Sequence, residues 1–354
     1  MLTCPTMRAI ILALLLAAAT PAFSQTNPSQ SLPEDPAAIL AAAEPLYDFN
    51  APDLKRWHMK VDYQLYDEDG KPGEQGVYEY WWVSPKTHRS SWTRPGAART
   101  DWQTADGTHK RLANGQLLGH IEHSLESAFL APLPSASELA QTSLDRQPLT
   151  LGDVKLTCVM VMGGLEHKEK SKPVELGLFP TYCFNPQLPV LRLRYSFGTV
   201  TVEFNKIVKF QNRFIAKGLT FLQGEHKLLT ATVEQIDDIA PDDAALTPPS
   251  EASVVKIDKV NISAGVAVGL LVNKQVPAYP QDAKDARISG TVELQATIGR
   301  DGKIYDLRVV QAPLPSMAVS ALSAVSHWQY RPYLFNGEPV EVLTTINVIF
   351  SLSK

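Results

Sequence analysis

Gly290-Thr-Val-Glu-Leu-Gln-Ala-Thr-Ile298, Gly299-Arg-Asp-Gly302 and Ile304-Tyr-Asp-Leu-Arg-Val-Val310 form the stretch that decides how the C-terminal part of this chain folds. Val292, Leu294, Ala296 and Ile298 alternate with Thr291, Glu293, Gln295 and Thr297, the period of a strand with one buried face. Gly299 to Gly302 supplies residues that tolerate positive φ, so a tight hairpin follows. Tyr305, Leu307 and Val309 then share one face of the return strand. Further on, Ala318, Ala321, Leu322, Val325 and Trp328 recur at three- and four-residue steps, the pattern of an amphipathic helix that Ser316 is placed to cap. Val340, Val342, Thr344, Ile346, Val348, Phe350 and Leu352 occupy every second position of a long closing strand.

With Tyr279-Pro280, Trp328-Gln-Tyr-Arg-Pro332 and Asn336-Gly-Glu-Pro-Val340 added, residues 262–352 resemble the C-terminal domain of TonB-type energy transducers. The resemblance implies a three-stranded antiparallel sheet packed by two helices, with the last strand at the sheet edge. It also implies that this edge receives an extended peptide from an outer-membrane receptor or another envelope protein by strand addition. Even positions of Val340–Phe350 face the core, which leaves Glu341, Leu343, Thr345, Asn347 and Ile349 as the candidate partner-binding residues. An exposed edge is equally a template for a second copy, hence for a homodimer through the C-terminal strand.

The chain has 354 residues, 44% hydrophobic and 20% charged, enough for two domains with their own cores. Its formal net charge of -4 gives no electrostatic basis for a nucleic-acid partner. Residues 1–24 read as a secretory signal peptide, with Arg8 before an apolar core, Ala9–Ala19, and Ala22-Phe23-Ser24 as the cleavage site. That apolar run is about eleven residues, against roughly 20 needed to span a bilayer as a helix. Cleavage after Ser24 and a periplasmic location are therefore expected, rather than an inner-membrane anchor. In this the sequence departs from TonB transducers, which keep a membrane helix and a long proline-rich spacer.

Residues 25–36 read as a flexible leader and 37–236 as a β-rich domain, giving an α+β protein overall. A helix is expected at Ala37–Leu46, then strands at Arg56–Tyr66, Val77–Val83, Arg89–Arg94 and Thr100–Thr104. Short helices at Ser124–Leu130 and Ser135–Ala140 precede strands at Lys155–Met162, Val190–Tyr195, Val200–Phe210, Phe214–Leu222 and Lys227–Ile236. The opening helix, the long antiparallel meander, and a Tyr182-Cys-Phe-Asn-Pro186 turn into Leu191-Arg-Leu-Arg194 resemble LolA-type lipoprotein carriers and sorting proteins. That resemblance implies a half-barrel whose concave face shelters an acyl or lipid ligand. The alternative is that Trp81, Trp82, Trp92 and Trp102 are sheet core, since aromatics are common strand formers. Residues 237–253 are acidic and proline-rich, a semi-stiff linker that reaches at most about 40 Å before the TonB-like domain at 254–354.

Chemistry-bearing motifs are few. His120-Ile-Glu-His123 would set two imidazoles one helical turn apart, short of the three or four ligands that a metal site needs. There is no Gly-x-Ser-x-Gly elbow, no His-Glu-x-x-His and no phosphate loop. No catalytic residue, cofactor or metal is expected, so the chain reads as a non-enzyme. The alternatives are a LolA-like carrier localised by its C-terminal domain, and a periplasmic hydrolase of unrecognised type. Lys168–Lys172 interleaves with Glu169 and reads as a solvated loop. Cys158 and Cys183 are the two cysteines after the signal, and an oxidising compartment favours a disulfide between them. N-terminal sequencing of the exported protein is expected to begin at Gln25; a chain in the inner membrane that begins at Met1 overturns the export reading.

Overall fold

Alternation of apolar and polar side chains along successive strands builds one long antiparallel sheet that curls around two helices. The computed structural model describes residues 31–354 apart from 68, 117, 141, 167–173, 175, 178, 197–199, 241–243, 257–258 and 353–354. The signal peptide expected at 1–24, the expected leader up to residue 30 and the Lys168–Lys172 cluster lie outside the described residues. Helix α1 (Pro36–Ala43) opens the fold, followed by β1 (Trp57–Tyr66), β2 (Pro72–Ser84), β3 (Thr87–Arg94), β4 (Ala97–Gln103) and β5 (His109–Gly115). Helices α2 (His120–Leu130) and α3 (Ala136–Leu139) lead to β6 (Ser143–Leu151), β7 (Val154–Met162) and the two-residue β8 (Gly164–Leu165). Next come β9 (Thr181–Phe184), β10 (Leu191–Ser196), β11 (Val200–Phe210), β12 (Arg213–Gln223), β13 (His226–Asp238) and β14 (Ser253–Val254). Thirteen of these strands form one sheet in the order β14-β5-β4-β3-β2-β1-β13-β12-β11-β10-β9-β7-β6.

The concave face of this half-barrel is filled by the chain itself. Trp57, Met59 and Val61 of β1, Tyr78 and Trp82 of β2 and Trp92 of β3 pack with Ile39 and Leu40 of α1, Phe49, and Leu125 and Phe129 of α2. Tyr63 lies across Gly76 opposite it, where a Cβ would come within 2.3 Å of the ring. The tryptophans divide between two faces. Trp82 and Trp92 belong to this core, while Trp81 and Trp102 point outward, where His58 stacks on Trp81 at 4.3 Å and the Arg89 guanidinium lies 3.9 Å above it.

Described residues of the stretch 237–253 touch the sheet. Asp237 and Asp238 end β13, the Trp102 indole N–H donates to the Ala245 carbonyl at 3.0 Å, and β14 pairs antiparallel with β5. These described residues therefore lie along the outer face and one edge of the sheet. The segment Tyr182-Cys-Phe184 is strand β9 rather than a turn; the turn follows it, where the Asn185 side chain accepts from the Gln187 N–H at 2.9 Å.

The rest of the chain forms β15 (Lys259–Asn261), α4 (Ala264–Leu270), β16 (Leu271–Asn273), α5 (Gln281–Asp285), β17 (Gly290–Ile298) and β18 (Ile304–Ala312). Helix α6 (Pro315–Val325), β19 (Gln329–Tyr330), β20 (Leu334–Phe335), β21 (Glu338–Pro339) and β22 (Glu341–Phe350) complete it. Here the sheet has five strands rather than three, in the order β15-β22-β17-β18-β8. Its antiparallel centre carries a short parallel strand on each side. Helix α6 starts with Leu314 as N-cap and Pro315 in the first turn, where proline's missing N–H costs nothing. Ser316 is two residues too late to cap, and its buried hydroxyl has no hydrogen-bond partner among the described residues. The core under α6 includes Met160 and Met162 of β7 and Phe179, which come from the half-barrel.

Cys158 and Cys183 face each other across β7 and β9 and are joined by a disulfide, covered by Leu156 and Leu193. Replacing both by alanine is expected to cost roughly 3 kcal/mol, mainly through the freed unfolded chain. Urea unfolding of the exported protein checks this; an unchanged midpoint would count against any structural role for the bridge.

Candidate functional site

Main-chain parity fixes what the closing strand offers. The Ile262 N–H donates to the Leu343 carbonyl at 3.0 Å, so Leu343 points its peptide groups away from β17. In a strand the N–H and C=O of one residue point the same way and alternate along the chain. Glu341, Leu343, Thr345, Asn347 and Ile349 therefore face outward, while Thr344, Ile346 and Val348 bond to their partners Ala296, Leu294 and Val292 of β17. The outward set is not uniform. Glu341 and Leu343 lie beside β15; burial, then Arg111 and Arg99, pull Arg300 below its ordinary value, and Glu341 opposes them. Beyond Glu341 and Leu343, among the described residues, no strand flanks Thr345–Phe350 on the outer side. Asn347 is exposed and Ile349 is 73% exposed, whereas Ile346, Val348 and Phe350 are buried.

Motif residues elsewhere in this domain hold the edge in place. The Tyr279 hydroxyl donates to the Ile288 carbonyl at 2.6 Å, and its ring meets Phe350 edge-on at 5.5 Å. The Trp328 indole N–H donates to the Gln275 carbonyl at 2.8 Å. Thr344 Oγ1 donates to the Ile262 carbonyl at 3.1 Å, which fastens the chain leaving β15.

A second polar constellation lies on the concave side of the half-barrel. Glu122 of α2 is 1% exposed; it accepts from the Tyr63 hydroxyl at 2.7 Å, Arg94 Nε at 3.0 Å and the Gly119 N–H at 2.6 Å. Arg94 also pairs with Glu74. On β4, Asp101 accepts from His109 Nε2 at 2.8 Å and Arg111 Nε at 2.6 Å, and Arg99 binds its other oxygen. Burial works against ionisation of Asp101, yet His109, Arg99 and Arg111 hold its carboxyl well below the usual carboxylate range. Glu126, one turn after Glu122, is pushed the other way. Burial and then the Asp101 charge raise its carboxyl to about 7.

These groups neutralise one another, and none of them is a nucleophile held against a base. Of His120-Ile-Glu-His123, the residue with a defined task is Glu122, and its only sequence signal is the spacing of half a capping box from Gly119. Among the described residues no group of three metal-binding side chains converges. A polar groove of about 620 Å³ runs past Asp62, Gln75, Thr93, Arg94, Thr232 and Glu234. No described helix is long and apolar enough to cross a membrane.

Residues 275–352 match the family described as Gram-negative bacterial TonB protein C-terminal. The match covers the hairpin, α6 and the whole of β22. No curated protein matches the chain. Among solved structures, a LolA superfamily protein from Nitrosomonas europaea has 9% identity and a TM-score of 0.37, over 60% of this chain and 97% of its own. A DUF1329 family protein from Desulfovibrio piger has the same identity and score, over 60% and 100%. The third is a putative outer membrane lipoprotein-sorting protein domain from Vibrio parahaemolyticus, at 9% and 0.30 over 56% and 90%.

Glu126 makes stability depend on pH. Its folded value lies above the ordinary 4.5, so the folded state holds the proton longer and stability falls as pH rises from about 4.5 to about 7. The substitution Glu126→Gln is expected to flatten that window in urea midpoints taken at about pH 5 and about pH 8. An equal drop in both proteins places the titrating group elsewhere.

Proposed function

We propose that this chain is a non-enzymatic periplasmic envelope protein whose TonB-like domain docks an extended peptide by strand addition along Thr345–Phe350. The observation that carries the reading is the row of outward peptide groups on Thr345, Asn347 and Ile349, with no described strand beside them. Six residues present about 20 Å of edge. This edge lacks two of the usual protections, charge and proline. Thr345-Ile-Asn-Val-Ile349 carries no charge and no proline, and Ile349 projects into solvent. Main-chain hydrogen bonds would supply the affinity, and the side chains of Asn347 and Ile349 would select the partner. That partner is an outer-membrane receptor segment or another envelope protein; a second copy of this chain competes for the same edge.

The proposed organisation is a signal peptide at 1–24, a β-rich domain from 37 and the docking domain from 254. The carrier alternative finds little support in a concave face already occupied by Trp57, Tyr78, Trp82 and Trp92.

Proline distinguishes the two sides of β22 because it removes one N–H. Ile346→Pro and Val348→Pro delete bonds to β17 and are expected to unfold the domain. Thr345→Pro and Asn347→Pro are expected to keep the wild-type melt while losing envelope adducts from a photo-crosslinking residue at Ile349. Folded proline variants that form the same adducts overturn docking at this edge.

A further inference from the structure

The domain that carries the docking edge also makes contact near both ends of the half-barrel. At one end, β8 leaves β7 through Gly163 and adds to β18 in parallel, pairing Gly164 with Gln311 and Leu165 with Ala312. Gly163 is pressed so closely on β18 that a Cβ would lie 2.5 Å from the Val309 carbonyl oxygen. Glu166 continues the clasp, its N–H donating to the Ala312 carbonyl at 3.0 Å and its carboxylate accepting from Gln311 at 2.8 Å. Met160, Met162 and Phe179 complete the hydrophobic seat.

The other face of this sheet, away from α6, carries charge toward the half-barrel. Arg308 pairs with Glu138 of α3 at 3.0 Å, and Asp306 acts on Tyr182 and Arg194. At the opposite end of the half-barrel, Arg300 in the β17–β18 turn is half-buried, near enough to Arg111, Arg99 and Asp101 to feel their charges. Strand register shows which side these contacts lie on. Tyr182 is a core partner of Val159, and Arg194 pairs with Tyr182. Arg99 pairs with the core residue Trp92, and Asp101 pairs with both Ser90 and Arg111. Cross-strand partners share a face, so both sets of contacts lie on the concave side.

We infer that the C-terminal domain is a lid: its polar sheet face closes the mouth of the half-barrel over the filled concave core, and solvent reaches that core only when the β8–β18 clasp and the Arg300 seat open together. The inference does not depend on peptide docking at β22. A local contact would move alone; a lid moves both seats as one body.

The clasp can be locked. A Cβ on Gly164 would stand 3.9 Å from that of Gln311, within the range for a disulfide. The full chain is compared with Arg308→Glu, with Arg308→Glu plus Glu138→Arg, and with oxidised Gly164→Cys/Gln311→Cys, by hydrogen exchange and by uptake of 1-anilinonaphthalene-8-sulfonate. Arg308→Glu is expected to speed exchange about five-fold or more, the scale of one partly exposed ion pair, both at α3 and at distant β5 and β14. Dye uptake should rise with it. The charge swap should restore both readings, and the locked chain should fall to or below wild type in both. Faster exchange confined to α3, dye uptake that ignores the lock, or no change in any variant overturns the lid.

Discussion

A curled sheet of thirteen strands has two faces and two ends to keep from water, and most of this structure follows from how each is covered. On the inside, α1, α2 and the aromatic row Trp57, Tyr78, Tyr80, Trp82 and Trp92 close the concavity. Burial of such rings is the largest favourable contribution per residue that a core can make. On the outside, Trp81 and Trp102 would leave an apolar patch on the convex face. His58, Arg89 and the segment around Ala245 lie over it, which explains why an acidic, proline-rich stretch is laid down on the sheet. The ends are handled by β14 on β5 and by the edge strand β6, whose Pro148 is at home only where a neighbour is missing.

The buried charges answer a second demand. Where α2 crosses β1 and β3, Glu122, Tyr63 and Arg94 meet beside the apolar contacts of Leu125 and Phe129. Such a group is weak support for stability as a whole, because desolvation consumes much of the attraction, but loss of one member strands the others. Its service is to fix the helix in one position over the sheet. Asp101 plays the same part between β4 and β5, holding Arg99, Arg111 and His109 in register near Arg300.

The sequence makes part of this legible and hides the rest for identifiable reasons. Period-two patterns in β1, β17 and β22 are strong because each has one wet and one dry face. The parity of β22 even separates outward from inward residues before any coordinates. Strands β5 and β6 lack that alternation, since HKRLANG and SLDRQPLTL lie near the sheet's ends with little buried surface. Strand β9 is missed for the opposite reason: Thr181-Tyr-Cys-Phe184 is buried on both faces and reads as irregular. The shielding of Glu341 and Leu343 depends on β15, three residues whose pairing is set only by tertiary structure. Two-residue β8 carries no local signal at all.

Met160, Met162 and Phe179 sit among the residues that α6 buries, although they precede it by well over a hundred positions in the sequence. The C-terminal sheet therefore lacks part of its dry surface until β7 is in place. A chain that emerges from its N-terminus first during synthesis or secretion meets this requirement naturally, because the earlier strands can assemble before Val292, Leu322 or Val348 appear. The disulfide between Cys158 and Cys183 lies on the same outward row of β7 as Met160, so the crosslink ties β9 to the strand that supplies this seam. The dry surface of the C-terminal sheet is thus completed across a seam by residues of the half-barrel.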